Sequence, residues 1–219
     1  LEEAKARDHR KLGRELDLFT SSTLIGAGLP LFTPRGTILR EKLNDLAQSY
    51  RADRGYQRVW IPTIAKLDTY KVSGHFEKFP ELLRFTSIES GDELALKPVN
   101  CPHHTQIYAG QPRSYRDLPL KLMETTTVYR DEKSGELGGL SRVRAITQDD
   151  SHVFCTNEQV EQIFSELIES AQDLYGLVDM KLSLRLSFRD EADNYLGTKQ
   201  MWDSAESAIH KLADEFGLE

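Results

Sequence analysis

Cysteine is scarce: 219 residues hold only Cys101 and Cys155. That excludes a disulfide framework and fits a reducing compartment, so the expected location is the cytoplasm. Long apolar runs are missing too. None approaches the ~18 residues of a membrane-spanning helix. The opening stretch, LEEAKARDHRKLGREL, is charged throughout and is neither a secretory signal nor a myristoylation site. There is no excess of positive charge. Lys and Arg total 28 against 35 Asp and Glu, a net charge of −7, which argues against whole-surface binding of nucleic acid but not against a local basic face. No repeat period or low-complexity tract is visible. Neither GxGxxG nor GxxxxGK[ST] occurs, so the dinucleotide fingerprint and the P-loop are both absent.

What is present is a chain of 25.0 kDa, 39% hydrophobic and 29% charged, long enough for one large domain or two small ones. Residues 1–19 read as an exposed linker helix with a thin stripe of Leu12, Leu16 and Phe19. Three glycines and two prolines make 20–36 a loop or short edge strands. Leu39, Leu43, Leu46, Ala47 and Tyr50 recur at helical spacing over 37–54, and Gly55 stops that helix. Val59-Trp60-Ile61 read as a short buried strand ending at Pro62. Short strands are expected near 83–87 and 93–97, then a helix capped by Asn100 and ending at Gly110. Segments 119–130 and 142–154 form an antiparallel hairpin around a Gly-rich loop. Thr156 and Gln159 make a capping box for an amphipathic helix. VDMKLSLRLSF (178–188) alternates as a half-buried strand, and a last helix carries Met201, Trp202, Ala205, Ile209 and Phe216. The order predicts an α+β fold with a mainly antiparallel sheet flanked by helices.

Chemistry-bearing residues gather in a few places. Arg130, at the end of the hairpin's first strand, can fork onto phosphate oxygens. Glu132 shares its face by alternation and can hold an adenine amino group or a metal. Arg142 and Arg144 open the return strand; by themselves they read as a surface pair. Further along, Gln148, Asp150 and His152 fall on one face and Asp149 on the other. An amide, a carboxylate and an imidazole in a row are costly to bury without a ligand, yet they equally suit an exposed polar edge. In Asn100-Cys101-Pro102-His103-His104, Cys and His suit zinc, but no CxxC or HxxxH supports a local site. Cys101 reads as a small buried hydrophobe unless it combines with His152. His75 follows Gly74 on a loop and is either a surface residue or a proton shuttle. His9 and His210 lie on predicted exposed helix faces and receive no role.

Taken together, DHRKLGRELDLF (8–19), SGHF (73–76), LKPVNCPHH (96–104), SYRDLPLK (114–121), YRDE (129–132), RVRAITQDDSHVFC (142–155) and MWDSAE (201–206) resemble the catalytic core of the threonyl-tRNA synthetases, a class II aminoacyl-tRNA synthetase family. The resemblance runs over essentially the whole chain. It implies that residues 20–219 are a class II catalytic domain, with motif 1 at about 37–62 forming a homodimer interface and motif 2 at about 120–154 holding ATP. The implied substrates are ATP, L-threonine and tRNA(Thr). The implied roles are Arg130 on the α-phosphate and threonine carboxylate, Glu132 on adenine, and Arg142 on the far phosphates. Gln148 and Asp150 would take the threonine ammonium, and His75 would assist transfer. Cys101 and His152 match two of the family's three zinc ligands. In that family Zn²⁺ coordinates the amino and hydroxyl groups of threonine, and Mg²⁺ accompanies ATP.

Three departures qualify the match. Where the family has PMNCPGH, this chain has PVNCPHH, with Val99 for Met and His103 for Gly. The third motif, which supplies an Arg for ATP and the third zinc His, has no match up to Glu219. Editing and anticodon-binding domains have none either. An exposed apolar edge is therefore expected around 178–216. Two alternatives stay open: a catalytically incomplete synthetase-like fragment or binding module, and a prolyl-type ligase of the same class. Cys101 and the TQDD-x-H string speak against the latter.

Overall fold

The computed structural model describes residues 2–79, 81–183, 185–190, 195 and 197–216. In chain order the elements are α1 (Glu2–Ala6), α2 (His9–Glu15), β1 (Phe19–Thr20), β2 (Leu31–Phe32), α3 (Pro34–Ala52), β3 (Gln57–Arg58), β4 (Ile64–Lys66), α4 (Leu67–Val72), α5 (His75–Lys78), β5 (Arg84–Thr86), β6 (Glu93–Leu96), α6 (Cys101–Ala109), β7 (Leu120–Tyr129), β8 (Ala145–Phe154), α7 (Val160–Gly176) and α8 (Lys199–Glu215). Three small sheets result, ordered β1-β2, β3-β7-β8 and β4-β6-β5. Every pairing is antiparallel except β3 with β7, which is parallel. The fold is α+β, as the sequence predicts.

The hairpin β7–β8 is the spine, with ten residues per strand paired from Leu120↔Phe154 to Tyr129↔Ala145. Lys97, just past β6, joins two sheets: its N–H donates to Thr63 O at 2.9 Å and its carbonyl accepts from Tyr129 N at 2.8 Å. A buried apolar cluster is formed by Leu67, Tyr70, Leu82 and Ala95. Helix α3 starts three residues before the predicted start because Thr33 caps it, accepting from Gly36 N at 3.2 Å, with Pro34 in the first turn. It ends at Ala52, and the left-handed Gly55, φ 79°, turns the chain away three residues later. The capping box of Thr156 and Gln159 is formed before α7.

Three expectations need correction. The single helix over 1–19 is broken into α1 and α2. The Asp8 carboxylate accepts from Arg10 N at 2.9 Å, capping a new helix, and Asp17 leaves it with φ 52°. The strand expected at 59–61 lies at 57–58 instead. Val59 N still donates to Met123 O, but Ile61 N donates to the Glu124 side chain, so the ladder ends there, and Trp60 is 83% exposed. The alternating stretch 178–188 is not a strand in its described residues, since no described strand offers it a partner. It packs instead against α8, with Phe188 stacked on His210 at 4.5 Å and Arg189 bonded to Asp203 at 2.9 Å. Apolar exposure is nevertheless found there, at Leu177, Val178, Met180, Leu182 and Met201.

Candidate active site

Strand alternation gives β8 two different faces. Asp149 and Ser151 turn toward α3, where Arg51 donates to both at 3.0 and 2.9 Å, and Arg40 donates to Thr147 at 2.9 Å. That face is structural, as the split of Asp149 from Asp150 predicts. The groove of about 580 Å³ between α3 and the hairpin lies on this side, lined by Thr125, Thr127, Thr147 and Asp149. Gln148, Asp150 and His152 occupy the other face, opposite Thr126, Glu124 and Leu122.

The start of α6 closes over that second face. Asn100 precedes the helix, as expected of a cap, but makes no capping bond. Its amide donates to Asp150 Oδ2 at 2.8 Å, while Asp150 Oδ1 accepts from Ser151 N. One turn on, His104 Nδ1 and His152 Nδ1 are 2.8 Å apart, one donating to the other, with the rings edge to face. Cys101 is the first residue of the helix and is half-buried; burial pushes its thiol pKa up and the nearby Asp150 adds to this. His103 turns to Tyr70, ring centroids 6.3 Å apart, and neither of its ring nitrogens has a partner among the described residues.

Beneath lies a buried charge cluster that the sequence reading did not single out. Lys97 is fully buried, donates to Thr126 Oγ1 at 2.8 Å, and stands 3.9 Å from Glu124 Oε2. Glu124 Oε1 accepts from Ile61 N at 2.9 Å. Burial raises the Glu124 pKa, lowers that of Lys97, and lowers that of His104 to about 4. The available signal was the polar set Glu124 and Thr126 alternating on the face that meets Asp150.

The third part is the connection between β7 and β8. Arg130 Nε donates to Pro98 O at 3.4 Å, and its guanidinium lies 5.5 Å over the Phe79 ring. Among the described residues no carboxylate pairs with it. Phe79 also stacks on His75, 5.7 Å away, so one ring separates two predicted site residues. His75 does not sit on a loop: left-handed Gly74, φ 72°, turns the chain so that His75 opens α5, with its Nδ1 2.9 Å from Ser73 Oγ. Burial lowers the His75 pKa, so the neutral ring is favoured. Glu132 is almost fully buried, and its Oε2 accepts from Arg142 Nε at 2.9 Å and pairs with Arg142 Nη2 at 2.8 Å. Arg142 also meets Glu136 at 2.7 Å.

Along the segment leading into α6, Arg130 bonds to the carbonyl of Pro98 and Asp150 to the amide of Asn100, so a cation and a carboxylate meet the chain two residues apart. A zwitterion suits such a pair, its carboxylate toward the arginine and its ammonium toward Asp150. For zinc the donor set is right in kind, a thiol and an imidazole whose Nε2 is left over after the bond to His104. It is short in number: among the described residues no group of three or more His, Cys, Asp or Glu is placed to hold a metal.

The family model described as the tRNA synthetase class II core domain (G, H, P, S and T) matches residues 78–210. The chain belongs to this class II synthetase core family. Within this family the core is similar to the threonine–tRNA ligases of Deinococcus radiodurans, 48% identical over the whole chain, and Gloeobacter violaceus, 48% identical over 99% of it. The core spans only about a third of the length of those curated relatives, 34% and 36%. A crystal structure of the RNA binding domain of threonyl-tRNA synthetase from Cryptosporidium parvum Iowa II superposes with a TM-score of 0.90 at 34% identity, covering 97% of this chain and 52% of that one.

Proposed function

We propose that the protein containing this core activates L-threonine with ATP and transfers it to tRNA(Thr). A threonine carboxylate oxygen forms a bond to the α-phosphorus, and the bond to the β-phosphate oxygen breaks, its electron pair leaving with pyrophosphate. The terminal tRNA hydroxyl then attacks the threonyl carbonyl and AMP leaves. The observation that carries this reading is that Arg130 and Asp150 are both bonded to the segment leading into α6, at Pro98 and Asn100. Catalysis here is mostly positioning and charge neutralisation. Arg130 holds the α-phosphate and carboxylate together. Gln148 and Asp150 hold the ammonium, and Asn100 fixes Asp150 by the amide bond described above. Glu132 and Arg142 serve adenine and the far phosphates, which requires the ion pair between them to open when ATP enters. His75, held neutral, takes the hydroxyl proton during transfer.

Cys101 and His152 would hold Zn²⁺ with a third ligand from outside the described residues. Bound there, zinc would supply a coordination position that a threonine hydroxyl fills and valine cannot, a distinction an apolar pocket makes poorly. Mg²⁺ would neutralise the phosphates. Dimerisation through α3 and the segment to Pro62 is supported by the exposure of Ile38, Leu39, Leu43 and Trp60. A cytoplasmic location accords with two free thiols. No described helix is long and apolar enough to cross a membrane.

The test is amino-acid-dependent ATP–pyrophosphate exchange by the protein at its natural length, with zinc and Mg²⁺, comparing threonine, serine, valine and proline. Exchange with threonine and none with valine or proline is expected. Exchange with proline alone, or with none, would overturn the assignment.

A further inference from the structure

We infer that His9, from outside the catalytic motifs, is a positioning residue for the loop that carries Glu132 and Arg142. The loop ends in a tight turn. Gly138 and Arg142 exchange backbone bonds, Gly138 N to Arg142 O at 3.1 Å and Arg142 N to Gly138 O at 3.2 Å. Leu140 sits at the tip, half-buried, and its N–H donates to His9 Nε2 at 2.9 Å. Only Ser141 separates Leu140 from Arg142, whose guanidinium grips Glu132. The approach is close: a Cβ on Gly139, φ 53°, would lie 2.1 Å from His9 Nε2.

His9 is itself anchored, through a chain of ring contacts, to the start of β8 at the loop end of the same hairpin. Its ring stacks on Phe19 at 6.4 Å and 25°, and Phe19 packs on Phe32 at 6.1 Å. The Arg40 guanidinium lies 4.3 Å over Phe32 and donates to Thr147 on β8. Gly13 lets this stack form, since a Cβ there would lie 2.2 Å from the Phe19 ring. His9, Phe19, Phe32 and Arg40 therefore form a strut of contacts that runs from the start of β8 to the loop tip. It fixes where the loop stands before ATP arrives, and so saves ordering cost at binding. The inference rests on the proposed role of Arg142 and Glu132 toward ATP.

The experiment uses the protein at its natural length. Three variants are compared: His9→Phe keeps the ring and removes the acceptor, His9→Gln keeps an acceptor oxygen, and Gly139→Ala pushes His9 away from the loop side. Leu140 amide exchange, calorimetric Kd for ATP and for threonine, and Tm are measured. His9→Phe and Gly139→Ala are expected to speed Leu140 exchange and weaken ATP by about three- to tenfold each, the factor one hydrogen bond supplies, with threonine Kd unchanged. Together they should be no worse than either alone, and His9→Gln should be milder. Unchanged Leu140 exchange would overturn the strut. Faster exchange with unchanged ATP affinity, or equal loss of ATP and threonine with a lower Tm, would overturn the positioning role. A wild-type protein with a protected Leu140 amide that binds no ATP would instead overturn the reading of the site, and the positioning role with it.

Discussion

Replacing Lys97 by Met would remove a fully buried cation from under the site. Lys97 is fully buried and Glu124 is 4% exposed, with Asp150 directly opposite Glu124 across the strands. Removing the ammonium leaves a buried carboxylate facing a second one, and breaking a buried pair from one side costs about 3–5 kcal/mol. The lost bond to half-buried Thr126 adds under about 1 kcal/mol. The expected loss is thus a large share of an ordinary stability of about 5–15 kcal/mol. The double variant Lys97→Met/Glu124→Gln should recover most of it, because no unpaired charge is left and the Gln oxygen still accepts from Ile61 N. The pH dependence has a definite sign. Burial raises the Glu124 pKa, so the folded chain holds that proton more tightly than the unfolded one. Stability therefore falls as pH rises from the ordinary carboxylate value of about 4.3 through the raised one. Without Lys97 that window extends upward, and the loss should be smaller at pH 5 than at pH 8. Urea unfolding followed by circular dichroism reads both numbers. A single variant within about 1 kcal/mol of wild type at pH 8, or a loss equal at both pH values, would refute the argument.

Arg130→Ala should lower adenylate formation by about a hundredfold or more while changing stability by under about 1 kcal/mol, measured by pyrophosphate exchange beside urea unfolding; parallel losses would show a structural role. Cys101→Ser should lower zinc content and narrow the preference for threonine over valine, and unchanged zinc by atomic absorption would make Cys101 core packing. His75→Ala should slow transfer to tRNA at least about tenfold more than activation, and equal slowing of both in single-turnover assays would remove it from the transfer step.

The hairpin was legible because alternation and a capping box are local signals. Assigning Gln148, Asp150 and His152 to one face and Asp149 to the other needed only period two, and the structure keeps that split. The element 178–188 shows the limit of the same reasoning. Alternation specifies a ribbon with one apolar side, yet a strand needs a neighbour to bond, and none of the described strands provides one. Asn100 was readable as a helix start from its type, but its amide goes to Asp150, fifty residues away, which no local pattern encodes. Lys97 and Glu124 escaped for the same reason. Each is unremarkable in sequence, and they form a cluster with His104 only when the end of β6, β7 and α6 converge. His9 looked like a solvent-facing helical residue because its partner is a backbone amide 131 positions on.

The two-faced hairpin also constrains how such a sequence can change length. Inserting or deleting one residue inside β8 would carry Asp149 to the cleft and Asp150 to α3, exchanging the functional and structural faces in a single event. Ten paired positions per strand leave no room to absorb the slip. Length variation in this hairpin is therefore expected in the connection between Tyr129 and Ala145, at positions that leave the Glu132–Arg142 pair and the contact with His9 in place. Aligned relatives should show gaps in that connection and none within either strand.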